Sequence, residues 1–242
     1  MPLRLLDLTL PSPAENLALD EALLLAVEAS TAKGSPPSEF LRFWESPVPF
    51  VVLGVAGKLQ KEVDSTACEK AGVPILRRAS GGGTVLQGPG CLNFALVLGL
   101  ASRPELARTD RSYEAILTQT VDGLAAGEIR QLGTSDLALD DLKFSGNAQK
   151  RTRGAVLHHG TVLHDFDLAA AARFLHEPEK RPQYRGERRH VDFLTNVPLE
   201  AETIKTRIAS AWAAEAKPGF EIPSLEELIA EKYGNPIWTE RF

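Results

Sequence analysis

Apolar and polar residues follow two different periods along the chain, and these periods predict where helices and strands lie. After the turn-forming Pro11-Ser12-Pro13, apolar residues recur at helical spacing, which predicts a helix over residues 14–30. Gly34-Ser35-Pro36-Pro37 then predicts a break in regular structure. The same periodicity predicts further helices over residues 63–71, 109–125, 168–175, 201–216 and 225–233.

Short runs of β-branched, aromatic and other apolar residues predict the strands. These runs cover residues 3–8, 40–44, 50–53, 74–78, 84–86, 92–98, 136–139, 142–149 and 155–163. The second and third are separated by Pro47 and Pro49 and are expected to form a hairpin, and Asp140-Asp141 predicts a tight turn. Because strands and helices do not alternate strictly, the fold class expected is α/β of the α+β type, with a mixed, largely antiparallel central sheet flanked by helices.

Composition narrows the class of protein. A chain of 242 residues without internal repeats, 43% hydrophobic and 24% charged, is typical of a globular enzyme with one large domain or two small ones. The net charge of −5 argues against a nucleic-acid partner, and the lack of a long apolar run argues against a membrane and favours the cytoplasm. The two cysteines, Cys68 and Cys91, are expected to be reduced thiols, and no metal site is assigned.

The most informative segment is Arg77-Arg78-Ala79-Ser80-Gly81-Gly82-Gly83-Thr84. Glycines let backbone N–H groups approach a ligand without a Cβ atom in the way, and arginines neutralise an anion. The segment matches neither the P-loop nor the GxGxxG pattern. Glycines alone more often mark a structural turn, but the two flanking arginines favour a loop that binds phosphate or carboxylate.

A second segment carries Lys143 within the apolar strand over residues 142–149, and His158 and His159 follow in the next strand. A lysine in a strand usually points to solvent, but a buried one can hold a phosphate and a carboxylate together. Adjacent strand residues face opposite sides, and no third ligand lies at metal-binding spacing. His159 is therefore the candidate that orients the site.

Four blocks in order, together with a C-terminal signature, resemble the catalytic domain of the lipoate-protein ligase family. The blocks are Glu15-Asn16-Leu17-Ala18-Leu19-Asp20-Glu21, the arginine and glycine segment, residues 136–149 with Lys143, and His159-Gly160-Thr161-Val162-Leu163; the signature is Ala230-Glu231-Lys232-Tyr233 followed by Trp238. The resemblance spans residues 3–240 and implies a single catalytic domain over residues 1–242, without a separate C-terminal accessory domain. It implies a fold similar to those of biotin-protein ligases, octanoyltransferases and class II aminoacyl-tRNA synthetases.

The resemblance implies a two-step reaction. Lipoate and ATP give lipoyl-adenylate, and a lysine of a lipoyl-acceptor carrier domain then attacks it, with Lys143 bridging the phosphate and the acyl carbonyl. Mg²⁺ would assist, with Asp136 as an indirect ligand. The residues implied for the substrate and adenylate site are Arg77, Arg78, Ser80, Gly81, Gly82, Gly83, Thr84, Val85, Gln87, Asn93, Asp136, Ser145, Gly146, Ala148, His159, Gly160 and Thr161. The eight-carbon acyl chain needs an apolar slot, for which Val85, Leu92, Phe94 and Val162 are candidates, although core packing explains them equally well.

Two departures from the family pattern bear on which function is expected. Gln87 stands where many relatives have histidine, and residues 131–136 contain no cysteine where one group of octanoyltransferases carries its nucleophile. The missing cysteine favours a ligase over ATP-independent octanoyl or lipoyl transfer. Gln87, and the absence of room for the accessory C-terminal domain of some ligases, leave open a binding module for lipoate or lipoyl-adenylate that needs a separate partner chain. Biotin ligation is disfavoured by the form of the glycine segment and of the Lys143 strand.

Residues 177–191 form an irregular stretch with five lysines and arginines. A solvated surface loop is the commonest explanation for such a segment. Its functional alternative is a mobile anion-binding flap, or a docking surface for an acidic acceptor domain.

Overall fold

The structure is a computed structural model that describes residues 3–33 and 38–242, and the predicted break at Gly34-Ser35-Pro36-Pro37 lies outside them. The strands are β1 (Leu3–Asp7), β2 (Phe40–Trp44), β3 (Phe50–Leu53), β4 (Ile75–Arg77), β5 (Val85–Gln87), β6 (Cys91–Gly99), β7 (Ile129–Leu132), β8 (Asp136–Leu139), β9 (Leu142–Arg151), β10 (Ala155–Leu163) and β11 (Ala214–Ala216). The helices are α1 (Pro13–Ala32), α2 (Leu59–Glu62), α3 (Ser65–Ala71), α4 (Thr109–Leu124), α5 (Leu168–Phe174), α6 (His190–Phe193), α7 (Ala201–Ala211), α8 (Glu226–Leu228) and α9 (Pro236–Glu240).

Eight strands of the described chain form a central sheet in the order β11-β1-β2-β6-β10-β9-β8-β7. β11, β1 and β2 pair in parallel, and the other neighbours pair antiparallel. The predicted mixed, largely antiparallel sheet flanked by helices is therefore confirmed. A second sheet of β4, β3 and β5 carries the glycine-rich loop between β4 and β5.

Helices cover both faces of the central sheet. As a result β6, at the centre of the sheet, is buried along its whole length. Leu92, Phe94 and Leu96 belong to the core that includes residues of α4 and α7, whereas Ala95 and Val97 belong to the core beneath α1. This alternation follows from the two-residue period of a strand. No helix in the described ranges combines the length and apolarity needed to cross a bilayer.

Buried polar contacts fix α1 against its surroundings. A capping box between Ser12 and Glu15 begins the helix. Further along, Asp20 accepts a 2.6 Å bond from the buried guanidinium of Arg42, and Glu21 binds Lys232 at 2.6 Å and Tyr233 at 2.7 Å. The first family-like block and the C-terminal signature are thus in direct contact.

Three details differ from the sequence predictions. β2 and β3 do not form a hairpin, because β2 pairs with β1 and β6 while β3 pairs with β4 and β5, so the proline-containing link leads from one sheet to the other. The helix predicted over residues 201–216 ends at Ala211, because Ala213 adopts a left-handed φ of 47° and the next residues pair with the edge of β1. The sequence patterns also missed the short elements α2, β7, α6 and α9.

Candidate active site

A cleft of about 800 Å³ opens between the glycine-rich loop and the strands β9 and β10. It brings together most of the residues that the sequence predicted for the site. Those lining it are Arg78, Gly82, Gly83, Thr84, Val85, Gln87, Asn93, Asp136, Lys143, Ser145, Gly146, Ala148, His159, Gly160 and Thr161. Among the described residues, no hydrogen-bond donor contacts the carbonyl oxygen of the buried Gln87 side chain.

Arg77, Ser80 and Gly81 do not line the cleft. Arg77 is fully buried, and its guanidinium donates to the carbonyl oxygens of Gly54 and Gly57, each at 2.8 Å, and of Trp238 and Thr239. Four of the five N–H donors of this guanidinium are thus bound to backbone carbonyl groups, at a buried position outside the cleft. The structure therefore assigns Arg77 to the framework rather than to adenylate binding.

Arg78 shapes the glycine-rich loop from within. Its guanidinium donates to the carbonyl oxygens of Gly81 and Gly83, at 2.5 and 2.9 Å. Gly82 lies between them with a φ of 87°, and a Cβ atom there would lie 2.9 Å from the Arg78 side chain. Burial lowers the pKa of Arg78 to about 10, which leaves it charged at neutral pH. The loop thus encloses a fixed positive charge, and a glycine is required at position 82.

Side-chain hydrogen bonds connect the glycine-rich loop to β10 and to α2. Ser80 Oγ lies 2.5 Å from His159 Nε2 on β10 and accepts a bond from Arg78. Burial, reinforced by the nearby charge of Arg78, lowers the pKa of His159 to about 3, so the imidazole is neutral. On the other side, Thr84 donates to the Glu62 carboxylate of α2 at 2.6 Å. His159 therefore orients the loop through Ser80.

An irregularity in the pairing of β8 with β9 sets the direction of Lys143. Leu137 pairs with Ser145 but Ala138 pairs with Lys143, so one extra residue, Phe144, is inserted in β9. Without this bulge Lys143 would face the core alongside Leu137, because shifting the register by one residue reverses every side chain. The bulge turns the lysine to the cleft.

Lys143 is held beside Asp136 in the cleft. Its Nζ atom lies 2.7 Å from Asp136 Oδ1, and its side chain passes over Gly146, where a Cβ atom would lie 3.0 Å from Nζ. The other Asp136 oxygen accepts a 2.9 Å bond from the Tyr184 hydroxyl. Both oxygens are therefore engaged, and the described residues contain no group of three His, Cys, Asp or Glu side chains placed to hold a metal ion. These contacts leave Asp136 at most an indirect part in holding Mg²⁺, through water.

Residues 177–194 close one side of the cleft, but most of their positive charge is already paired. Glu177 binds the buried Arg185 at 2.6 Å and also accepts a bond from the backbone N–H of His190. Arg188 donates to the carbonyl oxygen of Asp141, and Arg189 pairs with Asp192. Most cations of the predicted basic docking stretch are thus in internal ion pairs, and Arg188 holds the segment in place through backbone carbonyl oxygens.

Most of the residues predicted for an acyl slot do not line the apolar part of the cleft. Of the four candidates Val85 lines the cleft, whereas Leu92, Phe94 and Val162 lie in the core on the opposite face of the sheet. The apolar lining residues include Ala56, Val85, Leu86, Phe144, Ala148, Leu163, Phe166, Ala171, Leu175, Phe193 and Leu194. An apolar slot therefore exists, with α5 and α6 contributing to its wall.

The sequence reasoning missed Glu62, Tyr184 and Glu177, and it gave neither cysteine a role. Glu62 and Tyr184 act through partners far away in the chain, so no local motif marks them. Cys68 and Cys91 are buried and do not line the cleft. Burial raises the pKa of the Cys91 thiol to about 12, which makes it a poor nucleophile.

Comparisons of the sequence and of the structure with known proteins give several matches. The sequence model of the lipoyl protein ligase A/B catalytic domain matches residues 12–213. The chain is 32% identical to the octanoyltransferase LipM of Carboxydothermus hydrogenoformans over 267 residues, which cover 96% of each chain.

Solved structures with the same fold include three described as lipoate-protein ligases. A bi-partite lipoate protein ligase with its E2 lipoyl domain from Thermoplasma acidophilum matches with a TM-score of 0.80 at 22% identity, over 99% of this chain and 96% of the other. A putative lipoate protein ligase from T. acidophilum with bound lipoic acid matches with a TM-score of 0.78 at 21% identity, over 100% of both chains. A lipoate-protein ligase A bound with ATP matches with a TM-score of 0.76 at 21% identity, over 99% of both chains.

Proposed function

Because the chain belongs to the lipoyl protein ligase A/B catalytic-domain family, we propose that it is an ATP-dependent ligase that attaches lipoate, or octanoate, to a carrier protein. It activates the acid as an acyl-adenylate and transfers the acyl group to a lysine of the acceptor. We place the reaction in the cytoplasm, where ATP is available and the two unpaired thiols stay reduced.

The observation that carries the proposal is the position of Lys143. Its ammonium group and the glycine-rich loop line the same cleft, whereas both cysteines lie outside it. Joining a carboxylate to a phosphate brings two anions together, so the protein must supply fixed positive charge and N–H donors rather than a nucleophile. This cleft supplies charge and backbone donors and lacks a reactive thiol among its lining residues.

In the first step a carboxylate oxygen of the acid attacks the α-phosphorus of ATP, and pyrophosphate leaves. Lys143 neutralises charge at the α-phosphate and the acyl carbonyl, and the backbone N–H groups of Gly82 and Gly83 contact the remaining phosphates. The hydrocarbon chain occupies the apolar slot beside α5. If Mg²⁺ accompanies the ATP, it would neutralise part of the phosphate charge, with Asp136 near enough to act on it indirectly.

In the second step the neutral amine of an acceptor lysine attacks the acyl carbonyl carbon. AMP leaves, and the amine loses a proton as the amide forms. Lys143 stabilises the negative charge that develops on the carbonyl oxygen. An acceptor domain, and a separate accessory chain, are proposed partners; the fold likeness to the two-chain system of T. acidophilum supports them.

One observation favours a second candidate function. The relative from C. hydrogenoformans, 32% identical over 96% of this chain, is an octanoyltransferase. Octanoyl transfer without ATP would use the same slot and the same lysine. It would need direct attack of the acceptor amine on the donor thioester, because Cys68 and Cys91 are inaccessible to a substrate in the cleft.

The test is mass-spectrometric detection of lipoyl-AMP after the purified protein is incubated with lipoate, Mg²⁺ and ATP. We expect adenylate from the wild type and from Lys150→Ala, a control on the same strand outside the cleft, and none from Lys143→Ala. Transfer of octanoate from an octanoyl carrier protein without ATP, with no adenylate detected, would instead establish the second candidate.

A further inference from the structure

We propose that Tyr184 is a positioning residue for Lys143 and acts through Asp136. The inference rests on the proposed function, because it concerns the lysine on which both steps depend. Sequence motifs gave no sign of Tyr184, which lies in the irregular segment over residues 177–191.

A continuous set of polar contacts links the three side chains. The Tyr184 hydroxyl donates to Asp136 Oδ2 at 2.9 Å, and Asp136 Oδ1 lies 2.7 Å from Lys143 Nζ. These contacts connect the turn that carries Tyr184, through the first residue of β8, to Lys143 beside the bulge of β9. A carboxylate held at one oxygen offers its other oxygen in one direction, which fixes the place of the ammonium group.

Tyr184 is itself fixed by its surroundings. Its ring packs against Phe193 with the ring centroids 5.3 Å apart, and its carbonyl oxygen accepts a bond from Arg188. The Cε1 atom lies 3.7 Å from the place that a Cβ atom on Gly133 would take. Burial and the adjacent Asp136 carboxylate raise the pKa of the phenol, so the hydroxyl remains a donor throughout the working pH range.

Tyr184 does not line the cleft, although its neighbours Pro182 and Arg185 do. A residue that does not touch the substrate cannot contribute to ground-state binding directly. Its removal should therefore act on the placement of Lys143 in the transition state, which lowers kcat and leaves KM unchanged. A residue that merely held the segment closed would change KM for ATP and for the acid as well.

The first experiment compares Tyr184→Phe with the wild type in adenylate formation. The substitution removes one oxygen atom and keeps the ring against Phe193, so we expect an unchanged melting temperature. We expect kcat to fall about tenfold, with both KM values within about twofold. Tyr113→Phe is the matched control, since Tyr113 lies beside His158 and outside the cleft, and it should behave as the wild type.

A double-substitution cycle tests the route through Asp136. If Tyr184 acts through that carboxylate, Tyr184→Phe should have no further effect in an Asp136→Ala background. An equal loss in both backgrounds, an unchanged kcat in Tyr184→Phe, or a rise in KM alone would overturn the inference.

A last measurement does not depend on activity. The rate at which an acylating reagent labels Lys143, followed by peptide mass spectrometry, should rise about fivefold in Tyr184→Phe as the ion pair loosens, but not in Tyr113→Phe. Unchanged labelling would overturn the positioning role even in a protein that forms no adenylate. Changed labelling together with no adenylate from the wild type would count against the proposed function alone.

Discussion

Gly54 and Gly82 pack backbone against backbone where the end of β3 meets the glycine-rich loop. A Cβ atom on Gly54 would collide with the carbonyl oxygen of Gly82. The position of the loop therefore depends on a glycine outside the triple-glycine run, immediately after strand β3 of the smaller sheet.

Substitution of Gly54 by alanine should displace the loop and reduce adenylate formation at least about tenfold, because a misplaced binding loop loses orientation as well as contacts. Gly81→Ala is the matched control, because a Cβ atom there meets no atom of the described residues within 4 Å, and its adenylate formation should fall much less. Steady-state kinetics and a melting curve for each variant check this. Equal losses in the two variants would contradict the role given to the Gly54 contact.

Arg77→Met should act on stability rather than on ligand binding. The substitution leaves buried carbonyl oxygens of Gly54, Gly57 and Thr239 without a donor, which should lower the free energy of unfolding by about 3 kcal/mol. Urea unfolding measures this loss, with the exposed Arg153→Met as the control. A large rise in KM for ATP with full stability would instead return Arg77 to the ligand site.

Alkylation should distinguish the proposed ligase from a cysteine-dependent transferase. Because Cys68 and Cys91 are each about 1% exposed and burial raises the pKa of both thiols, the folded protein should resist iodoacetamide at pH 8 and retain its activity. The urea-unfolded chain should take up two labels. Rapid inactivation of the folded protein, with one labelled cysteine, would contradict the mechanism.

The buried His158 should make stability depend on pH. Burial lowers its pKa to about 3 in the folded protein, against about 6.5 in an unfolded chain. Between these values the unfolded chain binds more protons, so the free energy of unfolding falls as the pH drops below about 6.5, by about 1.4 kcal/mol per pH unit for this residue. His158→Gln should show a shallower slope in urea unfolding between pH 6 and 4.5, and an identical slope would refute the assignment.

The sequence predicted the parts of the site that are defined by residue type. A run of glycines beside arginines, and a lysine in an apolar strand, are unusual enough to be found without a structure. Those features led to the family, which the comparisons confirm. The sheet class was predictable as well, because the order of short apolar runs constrains how strands can pair.

The remaining features depend on pairs that are distant in the chain. The bulge that turns Lys143 is a matter of register between β8 and β9, and Phe144 looks like any apolar strand residue in the sequence. Tyr184 meets Asp136 across 48 residues, and Arg77 meets Thr239 across 162. Two adjacent arginines with identical local signals thus have different roles, one inside the loop and one inside the framework.

The contact of Arg77 with Trp238 and Thr239 also has a consequence for biosynthesis. During translation the glycine-rich loop leaves the ribosome long before residues 238 and 239 are added. Until α9 is synthesised, the Arg77 guanidinium therefore lacks its two carbonyl acceptors on Trp238 and Thr239. The nascent protein should therefore gain the stability that these bonds provide only after that helix has been released.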